Sequence, residues 1–334
     1  MADEKRDGLT RRELLKRAAV GAAGLAVGAS LAGREALAAS AEARKTAARG
    51  RATVVLVRDR AALNGAGEVN GAVVADMLDR AVLALTRESD RAAAWRRFAG
   101  PEDRVGVKAT LMMTPSHPEV LGAICRGLTA TGVSDAHITT WDRTRAGVGA
   151  AEVASLPRQV GFGKEDVSEA VWNSTVLVNV PGMKAHWLAG TAGALKNWAG
   201  AVTHINTADH DVTYAFHADS CRNVGMLNAI PAIKERCRLI VMDGLRPLCN
   251  GGPQVDPRYL WHYQGLLVGT DPVAVDTIGR AIIEGRRRQM KGGEWPLQPP
   301  VTHLVVADRE YGLGVSDRSR IDLIKLGWED DALV

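Results

Sequence analysis

Lys184 and His186 stand two residues apart in the run Asn179-Val180-Pro181-Gly182-Met183-Lys184-Ala185-His186-Trp187. Gly190-Thr191-Ala192-Gly193-Ala194-Leu195-Lys196-Asn197 follows directly. A glycine-rich turn that opens a helix presents free backbone N–H groups, and such groups bind anions. Gly190 and Gly193 supply that turn here, Lys184 and Lys196 add positive charge, Asn197 adds an amide, and His186 adds a group suited to acid–base work. If the backbone stays extended past Pro181, Lys184 and His186 point to one side. The short link from His186 to Gly190 turns that side toward the helix carrying Lys196 and Asn197. Two lysines so placed repel each other and the positive end of the helix. A small anionic ligand relieves that repulsion. The lysines also lower the pKa of His186, which stays neutral and acts as a base near pH 7. The same composition fits a tight strand-to-helix connection with solvated lysines. No Gly-Lys-Ser/Thr is present, so nucleotide hydrolysis gains no support.

Three further groups offer chemistry. His204, Asp209, His210, Asp211 and His217 combine the ligand types of zinc, iron, copper or nickel, which makes His204, His210 and His217 a candidate divalent-metal set. Their spacing of six and seven residues fixes no geometry, and exposed loop histidines or helix caps account for it too. Lys108 precedes Thr114, Ser116 and His117, and Asp142-Arg143-Thr144-Arg145 closes a strand. Asp142 is a candidate catalytic carboxylate or a salt-bridge partner of a neighbouring Arg, and Lys108 is a candidate ligand-binding cation. Asp271 is a candidate binding residue that also fits a helix cap, and Asp276 fits a pair with Arg280 one turn on. Cys125, Cys221, Cys237 and Cys249 form no C-x-x-C pair, so no iron–sulfur cluster is expected. Cys221, Cys237 and Cys249 can supply one disulfide in oxidising surroundings. Cys125 sits in an apolar helical pattern and reads as a buried thiol.

The elements that must position these groups alternate between strand and helix. Strands are expected over 52–57, 104–111, 136–140, 176–180, 238–242, 265–268, 301–307 and 321–326. Helices are expected over 70–86, 118–131 (with Ser116 as cap), 224–236 and 270–284. This alternation argues for an α/β fold with mixed, largely parallel sheet(s) flanked by helices. In such sheets ligands gather at the carboxyl ends of strands, and several of the polar clusters fall just after strands.

The N-terminus carries a different instruction. Thr10-Arg11-Arg12-Glu13-Leu14-Leu15-Lys16 resembles the twin-arginine consensus, Ala18 to Gly33 is uncharged and weakly apolar, and Ala36-Leu37-Ala38 supplies an A-x-A cleavage site. Residues 1–38 therefore read as a twin-arginine signal peptide, 39–50 as a linker, and 51–334 as the α/β domain, either single or in two lobes divided near 150–175. The expected partner in export is the twin-arginine translocase and the expected location is periplasmic or otherwise extracytoplasmic. With 42 Lys/Arg against 38 Asp/Glu in 334 residues, the chain has no global charge that draws it to nucleic acid. No later segment is apolar enough to serve as a permanent membrane anchor.

Taken together, the clusters resemble the bacterial and archaeal family catalogued as "domain of unknown function 362". The likeness rests on Val178 to His186, Thr191 to Asn197, Asn250-Gly251-Gly252-Pro253, Thr270-Asp271-Pro272-Val273-Ala274-Val275-Asp276 and Gly312-Leu313-Gly314, in that order. It implies a fold and a site at Lys184, His186, Lys196 and Asn197 but no reaction. Some members carry ferredoxin-like cysteine motifs, which this chain lacks. Asp142-x-Thr144-Arg145 also resembles a string of the nickel-pincer lactate racemases, in a different segment order. Two readings follow: an exported enzyme acting on a small anionic substrate, or a non-catalytic protein that holds a metal or cofactor through the histidine region.

Overall fold

Val54 and Leu56 pack into one apolar cluster while Val55 and Val57 pack into another, so successive residues of the first strand feed opposite layers. Ile240 and Met242 alternate with Leu239 and Val241 in the same way. A strand buried on both faces belongs to a sheet with helices on both sides. The computed structural model describes residues 50–111, 113–142, 145–146, 155–159, 164–205 and 212–334. The signal peptide and nearly all of the linker expected from the sequence lie outside the described residues.

The strands are β1 (Ala52–Arg58), β2 (Val105–Ala109), β3 (Ile138–Asp142), β4 (Arg145–Ala146), β5 (Ser155–Gln159), β6 (Lys164–Ser168), β7 (Val176–Val180), β8 (Gly182–His186), β9 (Gly190–Ala192), β10 (Val202–Ile205), β11 (Cys237–Leu248), β12 (Gly265–Gly269) and β13 (Ile321–Gly327). A main sheet runs β13-β1-β12-β11-β7-β2-β3-β4, with β8 joined to β11 and β9 joined to β8. The pairs β13–β1, β11–β7, β11–β8, β7–β2 and β2–β3 are parallel, and β12 runs antiparallel to both its neighbours. The fold is thus α/β with a mixed, largely parallel sheet. A small antiparallel sheet, β10-β6-β5, stands apart from it. Arg49 to Val334 form one compact unit.

Helix Pro272–Lys291 shows how sequence sets an element here. The Asp271 side chain accepts from the Ala274 amide at 2.8 Å, Pro272 occupies the first turn, and Gly292 closes the far end at φ 69°. Five sequence expectations need correction. Residues 301–307 form no strand but lead into helix His303–Arg309. His303, Leu304, Val306 and Ala307 are buried while Val305 is exposed, which is a helical rather than an alternating pattern. The expected helix over 224–236 breaks into Gly225–Asn228 and Pro231–Lys234, because Pro231 forces Ile230 into an extended conformation. Ser116 does not cap helix Pro118–Thr129; its hydroxyl donates to the Val180 carbonyl and accepts from the Thr110 amide. Cys221, Cys237 and Cys249 are free thiols rather than disulfide partners. Cys125 is only half-buried.

Candidate functional site

Register brings the site together. Lys108 on β2 lies opposite Asn179 on β7 and Trp141 on β3, so the carboxyl ends of three parallel strands finish level. Asp142 is the next residue of β3. After β7 the chain passes Pro181 and continues extended as β8, so Lys184 and His186 do share a side, and both line one cavity. Lys196, Asn197, His217 and Asp142 line it too. Its volume of about 160 Å³ is below the roughly 300–1,000 Å³ of clefts that hold drug-sized ligands. The ligand it suits is small.

One wall is a hydrogen-bond network. The Lys108 ammonium donates to Asp142 Oδ1 at 2.7 Å, the Ala109 carbonyl at 2.7 Å and Asn197 Oδ1 at 3.2 Å. Asp142 Oδ2 accepts from the Leu111 amide. Asn197 donates to the Lys108 carbonyl and to Asn179 Oδ1, and accepts from the Thr110 hydroxyl at 3.0 Å. Asn179 donates in turn to the Ala194 carbonyl. These bonds span residues far apart in sequence and fix the side chain of Asn197, the last residue of the short helix Ala194–Asn197. Lys108 is fully buried and serves the wall, holding Asp142 and Asn197.

The opposite wall is less satisfied. Lys184 is buried, and its ammonium makes one long hydrogen bond, 3.4 Å to the Thr114 carbonyl. No ion pair reaches it among the described residues. Burial, with Lys196 and Lys108 nearby and against the pull of Asp142, lowers its pKa to about 8. Gly182 lets the chain pass close by, since a Cβ there would sit 2.7 Å from the Thr114 carbonyl. His186 accepts the Leu188 amide on Nδ1 at 3.1 Å, which leaves its proton on Nε2. Burial above all, then Lys196, His217 and Lys184, pushes its pKa down to about 2. The ring is neutral, as expected from the sequence. Its free nitrogen nevertheless carries the proton, so His186 offers the cavity a donor rather than the base expected. Lys184 is the group there placed to release and regain a proton.

Lys196 and His217 meet at 2.7 Å, the ammonium donating to Nε2, and the His217 ring stacks on His186 at 6.0 Å between centroids. The Nε2 lone pair of His217 is thereby engaged within the cavity. His204 lies on β10, and His210 lies outside the described residues. No group of three His, Cys, Asp or Glu suited to a metal ion occurs among the described residues.

The glycine turn behaves differently from its sequence reading. Gly190 to Ala192 form β9, and the helix after Gly193 has four residues. Its first amides are already taken: Ala194 and Leu195 donate to the Asp276 carboxylate at 2.5 and 3.0 Å. Gly193 has no Cβ because Asp276 occupies that space. Asp276 is therefore the internal acceptor of this turn and not the partner of Arg280, which pairs with Glu284. Gly193 lines the cavity, whereas Gly190, at φ 74°, packs against Pro299 and Val301. Asp271 caps its helix and also accepts the Val315 amide, away from the cavity. Thr110 and Asp276 escaped sequence reading as site residues; the position of Thr110 just past β2 was the available signal.

Fold and site together define an α/β protein with a small, lysine-walled cavity at the carboxyl ends of its strands. Residues 146–281 match the family model described as "Domain of unknown function (DUF362)", and that segment belongs to this family. It contains β7, β8 and the whole of the glycine turn. No curated protein and no solved structure shows significant similarity to the chain.

Proposed function

We propose that this protein is an exported enzyme that binds a small anionic substrate between Lys184 and Lys196 and moves a proton through Lys184. The observation that carries the reading is the Lys184 ammonium: buried on a cavity wall, held by one 3.4 Å hydrogen bond and by no ion pair among the described residues. A buried charge without a counter-ion is costly, and an anion in the cavity supplies one. Asp142 does not meet that need, because its carboxylate is committed to Lys108 and to the Leu111 amide. His186 Nε2–H adds a directional donor, and Asn197 is held rigid by its four hydrogen bonds. Calorimetric titration with phosphate, oxalate and pyruvate is the test. At least one should bind at a single site, and Lys184→Met should weaken it at least tenfold without loss of fold. Equal affinity in the variant would remove the reading.

Export is proposed from the sequence of residues 10–38, the twin-arginine translocase being the partner. Mass spectrometry of the exported fraction should find an N-terminus near Ala39, and changing Arg11 and Arg12 to Lys should retain the precursor inside. An exported chain that keeps residues 1–38 contradicts the proposal. No helix among the described residues is long and apolar enough to cross a membrane.

A further inference from the structure

We infer that Lys184 forms a protonated imine with the carbonyl carbon of a small 2-oxo acid whose carboxylate is held on the Lys196 and Asn197 side of the cavity. The inference rests on the anion-site reading above and names the class of its substrate.

Lys184 and Lys196 line the cavity, Lys108 stands behind it bonded to Asp142 and Asn197, and the structure treats the three differently. Lys108 is locked by a carboxylate and two carbonyl oxygens within 3.2 Å, an environment that keeps an amine protonated and unreactive. Lys196 shares its ammonium with His217 at 2.7 Å and lines the cavity as a cation, a group suited to hold a carboxylate. Lys184 is the exception, buried and held by one long bond to a carbonyl. Only an amine so lightly held can lose its proton and attack. The lowered pKa of about 8 agrees with that geometry. The second requirement is a donor for the carbonyl oxygen. His186 projects from the same side of β8, two residues on, and lines the cavity with Nδ1 fixed by Leu188 and its proton therefore on Nε2. The third is size. A cavity of about 160 Å³ brings one ligand of a few heavy atoms into reach of both walls. A 2-oxo acid carries its carbonyl and its carboxylate on adjacent carbons, which matches an attacking amine and an anion-holding group set around so small a space.

The step balances without an oxidant or reductant. The ammonium gives up a proton, its nitrogen pair forms a C–N bond, and the carbonyl π pair moves to oxygen. That oxygen then leaves as water with two of the three ammonium protons, and the third stays on the iminium nitrogen. One positive charge is present before and after. The iminium withdraws electrons from the neighbouring carbons, which eases loss of a proton or a carboxylate there.

The test uses the whole mature protein incubated with pyruvate and sodium cyanoborohydride, followed by intact mass and peptide mapping. The expected product is a gain equal to the mass of the keto acid less one oxygen atom, located on Lys184. It should saturate with pyruvate, fall when oxalate competes, and be absent from Lys184→Arg and Lys184→Met. Label spread over exposed lysines such as Lys234 and Lys291, without preference for Lys184, overturns the inference. If pyruvate binds by calorimetry but leaves Lys184 unlabelled, the imine is wrong and the anion site stands. If no anion binds, both fall.

Discussion

Asp142→Asn is expected to destabilise the fold by about 3–5 kcal/mol, the typical cost of removing one partner from a buried ion pair. Lys108 has no exposed side-chain surface and Asp142 has 9%. Coulomb attraction at such depth is weakly screened, so the pair is favourable once formed, but each charge is expensive alone. The asparagine keeps an oxygen near Lys108 and loses the negative charge. The buried ammonium then keeps the Ala109 carbonyl and Asn197 Oδ1 but loses the Asp142 charge. Asp142 also accepts the Leu111 amide, so the segment after β2 loosens with it. The double change Lys108→Met, Asp142→Leu removes both charges and should recover most of the loss. It should not recover all of it, because Asn197 and the Leu111 amide each lose a partner. Urea denaturation of the wild type and the two variants measures this. A single variant within about 1 kcal/mol of the wild type would show that the pair is not what holds this wall.

Asp276→Asn has the second-largest effect, and it depends on pH. Burial raises the Asp276 pKa from an ordinary 3.8 to about 7, against the lowering influence of the Leu195 and Ala194 amides. A carboxyl group whose folded pKa is raised holds its proton in the folded state over a range where the unfolded chain has lost it. Its contribution is then fully present below about pH 4 and is lost as pH rises through about 7. The slope is at most about 1.4 kcal/mol per pH unit. Asp271, raised by burial to about 6, acts in the same direction over an overlapping window. Comparing wild type with Asp276→Asn isolates the share of Asp276: the difference in stability should shrink as pH rises from 4 to 7. At each pH the variant also faces a local mismatch. An amide oxygen accepts one of the two backbone donors, while its NH₂ group opposes the other. That costs about 1–3 kcal/mol, the range for leaving a buried donor unmet. Anion affinity should fall as well, because the turn that carries Lys196 and Asn197 is tied down at Ala194 and Leu195. A stability difference independent of pH would show that Asp276 keeps an ordinary carboxylate pKa.

Part of this architecture is written locally and part is not. The run Val176 to Val180 reads directly as a strand because four of its five residues are apolar, three of them consecutive, and the structure begins and ends β7 there. The shared side of Lys184 and His186 follows from a two-residue period once the chain stays extended. The Asp271 cap follows from the Thr-Asp-Pro string. Other features arise from contacts that no local pattern encodes. Asp276 reaches amides more than eighty residues earlier. Asn197 joins Lys108 and Thr110 across nearly ninety. The tautomer of His186 depends on where the Leu188 amide points. The run 301–307 misleads because its β-branched residues suit either element, and packing chose the helix.

The most direct test follows protons as an anion binds. Burial lowers the pKa of Lys184 to about 8. An anion that seats beside its ammonium raises that value, so binding near pH 8 must draw a proton from solvent. Calorimetry of phosphate, oxalate and pyruvate at about pH 8, repeated in buffers of different ionisation enthalpy, reads that uptake. A fractional proton should be taken up per anion bound, and this uptake should disappear in Lys184→Met along with most of the affinity. Binding with no proton uptake, or uptake that persists unchanged in Lys184→Met, would contradict it.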